Sequence, residues 1–267
     1  MAAAPLNTHY SLLGKSHWLI HPAQFSIINS QFKSLMRKLL VKIAVRLGLY
    51  QKAMDIDTRI RQRKEKKAMQ LYGLESLIKA DEAITAFGGH MFFVFGTLLG
   101  AYREHNFIPH DCDIDVGLLA SERPDDMEQV MASAGFRRVN QQYVKETGRI
   151  VEERYERKGV GIDVFYFFDD DRFADEIYAY LSYRHETKDW REANVTDGFP
   201  TILKPQVRSA FSRQDFLGHQ FYMPDRAEEW LRRLYGDDFM IPNPGWSFSD
   251  HKTRSFPSGE RVFRRLD

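Results

Sequence analysis

The chain has 267 residues, with 38 Lys plus Arg against 37 Asp plus Glu and a formal charge of +1. That length makes one large domain or two small ones, and 43% hydrophobic with 28% charged residues fits a soluble globular protein, which excludes collagen-like, coiled-coil and wholly disordered chains. A single cysteine, Cys112, rules out an internal disulfide or a cysteine-based zinc site and favours a reducing compartment.

Residues 1–30 have no clear period and read as irregular. Met1-Ala2-Ala3-Ala4-Pro5 lacks the basic start and apolar run of a signal peptide. Phe32 to Leu49 reads as a basic amphipathic helix, with Leu35, Leu39, Leu40, Ile43 and Leu47 on one face and Arg37, Lys38, Lys42 and Arg46 beside it. Such a helix either covers the body of the protein or rests on an anionic membrane surface. Packing on the body is the preferred reading, and Arg61, Arg63, Lys64 and Lys66 read as a solvated helical face, with peripheral membrane contact through residues 32–67 as the alternative. Residues 31–70 hold 12 Lys/Arg and 3 Asp/Glu, leaving 26 against 34 elsewhere: a basic segment joined to an acidic body. No aromatic interleaving or known module accompanies these basic residues, so nucleic acid is not expected as a partner.

Met69 to Phe87 carries a helical pattern that Gly88-Gly89 ends. His90 to Phe95 reads as a buried strand. Ala83 to Tyr102 is uncharged over 20 residues, a spanning length, but the glycine pair divides it into a helix end and a strand. Gly96-Thr97 then turns into a short helix, Leu98 to Arg103. Asp113 to Leu118 alternates as a strand. Ser121 is the expected cap of a helix that Gly135 stops, with Pro124, Asp125, Asp126 and Glu128 in its first turn. Phe136 to Tyr143, Val151 to Arg157 and Gly161 to Phe168 read as successive strands closed by Asp169-Asp170-Asp171, and Pro224 to Tyr235 as a helix before Gly236. Residues 172–215 give no clear pattern. The tail from Pro242, rich in Pro, Gly and Ser, is expected to wrap the surface.

The chemistry concentrates in two places. In Asp113-Ile114-Asp115 the carboxylates share one side of a strand, about 6.6 Å apart along the backbone. They repel unless a cation joins them, and hard oxygen ligands suit Mg²⁺, or Mn²⁺, shared with phosphate. Gly96-Thr97, at a strand-to-helix turn, offers backbone N–H groups and a hydroxyl to a phosphate. Asp163, alone in the apolar Gly161-Ile162-Asp163-Val164-Phe165, supplies a third carboxylate, costly there without a partner. A D-x-D by itself is common in acidic turns. The three features together point to a phosphoryl-transfer site.

The stretch GTLLGAYREHNFIPHDCDIDVGLL resembles the signature of LicD-type proteins, which include the fukutin-related transferases. Weaker similarity extends outward to the helix before HMFFVF, to GIDVF and to Tyr235-Gly236-Asp237-Asp238-Phe239-Met240. The resemblance implies an α/β (α+β) fold, a nucleotidyltransferase-like mixed sheet flanked by helices. Residues 1–68 would be a basic helical extension, 69–245 the catalytic domain and 246–267 a tail. It further implies transfer of a phospho-alcohol, of phosphocholine, ribitol phosphate or glycerol phosphate type, from a CDP-linked donor to a glycan hydroxyl with release of CMP. Asp113, Asp115 and Asp163 match the metal-binding and catalytic carboxylates. Gly96 and Thr97 match the phosphate-contacting turn, and Arg103 an arginine suited to an anionic donor. Asp111 matches as well, either binding metal or bracing its loop. His110 and Cys112 depart from the family's usual Trp and Asp, in positions that shape the donor pocket. The acidic neighbours of Cys112 would raise its pKa, making it a packing residue. His105, His251 and Lys252 read as surface groups. Two other readings stay open: transfer of NMP with release of pyrophosphate, and an inactive binding protein on the same fold. The expected location is cytoplasmic, with peripheral membrane association as the alternative.

Overall fold

The computed structural model describes residues 50–169, 175–182, 194–243 and 255–266. Phe32–Leu49, Asp170-Asp171, His251 and Lys252 lie outside the described residues. The chain forms two compact units, residues 1–59 and 60–267. Of the first, the described part is the start of helix α1 (Tyr50–Ala86), which continues into the second. Arg61, Arg63, Lys64 and Lys66 are exposed along it. No described helix is long and apolar enough to cross a membrane.

Helix α1 ends where the sequence places its stop, with Gly88 at φ 82°. Leu77, Ala80 and Ile84 are fully buried on its inner face. The expected strand over His90–Phe95 is reduced to β1 (Phe92–Phe93), because the chain turns at once into α2 (Phe95–Leu99) and a π-helical turn, Gly100–Glu104. Strand β2 is Asp113–Leu119. Ser121 falls in a 3₁₀ turn. Helix α3 (Met127–Ser133) is capped instead by Asp126, whose Oδ1 accepts from Gln129 N at 3.3 Å.

The strands β3 (Arg137–Val144), β4 (Ile150–Arg157) and β5 (Val160–Asp169) follow as antiparallel hairpins. Next come β6 (Glu176–Ser182), β7 (Phe199–Val207), β8 (Phe211–Phe216), β9 (His219–Pro224), helix α4 (Ala227–Tyr235) and β10 (Phe256–Leu266).

The expected α/β architecture is overturned. The described strands form one ten-stranded sheet in the order β4-β3-β10-β7-β6-β5-β2-β1-β9-β8, and β4 also pairs β5. That extra pairing closes β3, β4, β5, β6, β7 and β10 into a six-stranded antiparallel barrel, not a mixed sheet flanked by helices. The physical reason lies in the connections. Every pair of neighbouring barrel strands is antiparallel, and antiparallel neighbours do not require the crossover helices that parallel ones need. The parallel pair β2–β5 is the link from barrel to side extension β2-β1-β9-β8. The tail also differs from expectation, since residues 256–266 do not wrap the surface but pair with β3 and β7.

A large apolar core joins α1, β1, β2, β5 and α4. Phe92 stacks on Phe211 at 4.0 Å and meets the edge of Trp230, whose indole N–H donates to Val207 O at 2.9 Å. A second cluster, including Val144, Tyr180, Phe199 and Val262, belongs to barrel strands alone.

Candidate active site

The site begins at the bend after β1. Val94 N donates to Asp115 O at 3.4 Å, tying the bend to β2. Phe95 adopts φ 43°, a strained conformation for a bulky residue, and its ring is held edge-on to Phe165 with centroids 4.7 Å apart. Gly96 N donates to Asp115 Oδ2 at 3.2 Å, and Thr97 Oγ1 accepts from Asp115 N at 2.8 Å. A Cβ on Gly96 would stand 2.8 Å from Asp111 Oδ2 and 3.3 Å from Asp115 Oδ2. Glycine is therefore set here by the closeness of two carboxylates.

Strands β2 and β5 run parallel, with Asp115 directly beside Asp163. On the far side of β5, Arg154 of β4 stands opposite Asp163. Its Nη1 donates to Asp113 Oδ2 at 3.2 Å and makes a short bond to Asp163 Oδ2. Gly161 makes room for that guanidinium, since a Cβ there would lie 2.8 Å from Arg154 Cζ. The three predicted carboxylates thus come together, with Arg154 spanning two of them and Asp111 adjoining the third.

Charge is under-compensated. Burial, reinforced by Asp113, Asp163 and Asp111, raises the Asp115 carboxyl well above the usual range, against the pull of the Gly96 N–H. Burial pushes Asp163 up to about 8 despite Arg154, with Glu152 and Asp113 adding to the rise. Asp111 is pushed up to about 6 by burial, which outweighs His110 and Arg103. Burial disfavours the Arg154 charge, yet Asp163 and Asp113 more than restore it and its pKa rises.

Arg103 lies in the π-helical turn. Its Nη1 donates to Phe239 O at 3.0 Å and its Nε to Glu104 Oε1 at 2.8 Å, so it ties the residues after α4 to this region. Tyr235, at the end of α4, lies within electrostatic reach of Asp115 and Asp111; burial first, then those carboxylates, raise its pKa. Cys112 Sγ donates weakly to Gln62 O and His110 O at 3.7 and 3.6 Å, and burial together with Glu65, Asp113 and Asp111 raises its pKa, as the acidic surroundings require. His110 is exposed, 4.0 Å from Asp111 Oδ1. Sequence reasoning missed Arg154 and Tyr235.

Among the described residues no three His, Cys, Asp or Glu side chains are arranged so that they could hold a metal ion together. The donor chemistry nevertheless fits a hard divalent cation. Asp111, Asp113 and Asp163 all act on the Asp115 carboxyl, Arg154 bonds Asp113 and Asp163, and Asp163 Oδ1 is buried with no hydrogen-bond partner among the described residues. The arrangement can neutralise phosphate oxygens and hold or accept a proton beside them.

The profile described as LicD/FKTN/FKRP, nucleotidyltransferase domain, matches residues 88–226. Among curated proteins, the human "Ribitol-5-phosphate transferase FKTN" is 21% identical over 185 residues, 69% of this chain and 37% of that protein. The protein of the same name from Macaca fascicularis is 20% identical over 195 residues, 73% of this chain and 39% of that protein. The chain spans about two fifths of the length of these relatives.

Proposed function

Since the chain belongs to the LicD/FKTN/FKRP nucleotidyltransferase-domain family, we propose that it transfers a phospho-alcohol, of ribitol phosphate, glycerol phosphate or phosphocholine type, from a CDP-linked donor to a glycan hydroxyl. One observation carries this reading: Asp111 and Asp115 close on the Gly96 bend, and Asp113 and Asp163 stand beside Asp115 with Arg154 joining them. The two relatives named as ribitol-5-phosphate transferases favour the same class.

Asp113 and Asp115 would hold a divalent cation such as Mg²⁺ or Mn²⁺, with Asp163 beside them, and the cation would supply neutralising charge for the donor's pyrophosphate. The remaining chemistry belongs to the chain's own groups. The bend at Gly96-Thr97 brings the protein backbone close to the phosphates, and Thr97, whose oxygen already accepts from Asp115 N, keeps its hydroxyl proton to donate. Arg103 adds positive charge at the edge. The acceptor oxygen bonds to the phosphorus that carries the alcohol. The bond from that phosphorus to the CMP oxygen breaks, and CMP departs with the electron pair. The acceptor's proton passes to Asp163 Oδ1, the lone pair left without a partner. Burial, with Glu152 and Asp113 adding to it, raises the proton affinity of that carboxyl above the ordinary range, as a general base requires.

The test is CMP release from CDP-ribitol, CDP-glycerol and CDP-choline with candidate glycans present. Asp113→Ala and Asp115→Ala should each lower turnover by at least about a hundredfold while the cooperative melt persists. Near-normal turnover in either variant would refute the carboxylate assignment, and pyrophosphate as the product would refute phospho-alcohol transfer.

A further inference from the structure

The face that carries the carboxylates does not end at Asp163. Going outward, the strand order is β2, β5, β4, β3, β10. Register sets Arg154 beside Asp163, Asn140 beside Arg154, Gln142 beside Glu152, and Arg264 beside Gln142. Residues two apart on a strand point the same way. Asn140 with Gln142, and Glu152 with Arg154, therefore continue the Asp163 face as a polar shelf.

Four polar atoms in this row are buried and lack a hydrogen-bond partner among the described residues: Asp163 Oδ1, Asn140 Oδ1, Gln142 Oε1 and Arg264 Nε. Each such atom is costly to leave unmet, and Gln142 as a whole is only 3% exposed. The shelf is not sealed, for Asn140, Glu152, Arg154 and Arg264 all keep part of their surface open. The Arg264 guanidinium lies 4.7 Å over the Phe199 ring. Glu152 feels the charges of Arg264 and Arg154 and is hydrogen-bonded by Gln142.

Unmet donors and acceptors of both kinds, with an acid and a base balancing each other, match a neutral molecule rich in hydroxyls better than an anion. Position decides which one. The glycine bend adjoins the carboxylates from the β1 side and the shelf leaves them on the opposite side, so the shelf lies where the attacking hydroxyl must arrive. We infer that Asn140, Gln142, Glu152 and Arg264 form the acceptor subsite, which binds the hydroxyls of a glycan and presents one of them to Asp163. This rests on the transferase reading for the word acceptor, but carbohydrate binding by the shelf can be tested apart from it.

The full-length protein is applied to a printed glycan array and, separately, titrated calorimetrically with CDP. Glycans should be retained. Asn140→Ala and the isosteric Glu152→Gln, on different strands and both partly exposed, should each weaken the best-bound array glycan by roughly tenfold or more, with CDP affinity kept within about twofold. Variants are compared only where their melts match the parent, and two independent positions guard against one failing to fold. An array with no glycan above background, or glycan affinity kept within about twofold in both variants, overturns the shelf. Shelf-dependent glycan binding without CDP binding would leave the shelf standing and remove the donor assignment.

Discussion

Asp163 illustrates how one buried carboxyl gives the site a pH signature. Its folded-state pKa, about 8, lies above the ordinary value of 3.8, so the native state holds its proton more tightly than the unfolded chain does. The stability it contributes is complete below about pH 4 and is lost as pH climbs through about 8. Asp111, at about 6, adds a loss of the same sign at lower pH. Asp163→Asn keeps an oxygen for Arg154 but cannot ionise. In urea unfolding followed from pH 5 to pH 9, the variant should therefore gain steadily on the parent as pH rises. Millimolar Mg²⁺ should narrow that gap at the alkaline end. A gap that stays constant with pH would show that Asp163 does not titrate in this range.

Elements position these residues through register, and register was partly legible. The hairpin between β4 and β5 turns on Lys158 and Gly159, with φ of 53° and 81°, the paired positive values that a two-residue turn of this hand demands. Given that turn, counting outward sets Arg154 opposite Asp163. The alternating Val151–Arg157 and the lone acid in Gly161–Phe165 could thus have yielded the ion pair, had the turn been read at Lys158-Gly159. The glycine bend and the D-x-D strand were visible because both are local patterns. The twist at Phe95 was not, since nothing in a Phe codon predicts a left-handed backbone. Close packing at β2 supplies a further expectation. A Cβ on Gly117 would meet Phe92 Cζ at 2.7 Å and Phe167 Cε2 at 2.9 Å. Both rings sit in the aromatic core, so Gly117→Ala should cost about 1–3 kcal/mol. Chemical denaturation reads this directly, and an unchanged midpoint would mean that the rings yield freely.

For the molecule as a whole, closure of the barrel depends on its last strand. Strand β10 pairs β3 on one side and β7 on the other. Ser258 lies within hydrogen-bonding distance of Thr201, and the Arg261 guanidinium reaches Asp197 O and Gly198 O. Pro257, Ser258 and Gly259 break the alternation that marks a strand, and the register shifts between Pro257 and Arg261. That irregularity hid β10 in the sequence, and with it the barrel. Helix periodicity and strand alternation report on a dozen residues at a time, whereas pairing residue 262 with residue 144 does not. Truncation after residue 255 would leave two unpaired edges. The shortened chain should aggregate or lose its cooperative melt in circular dichroism. A sharp transition near the parent's temperature would mean that the barrel closes without β10.

Strand β5 is bonded to three neighbours: β2 along one edge, and β4 then β6 in succession along the other. It is the seam between a tube and an open wing, and opening either one alone still leaves it stapled to the other. Its backbone amides around Ile162 to Val164 should therefore trade hydrogen for deuterium more slowly than those of the wing's outermost strand, β8. The acid at that seam would then be among the last groups to lose its place as the molecule loosens.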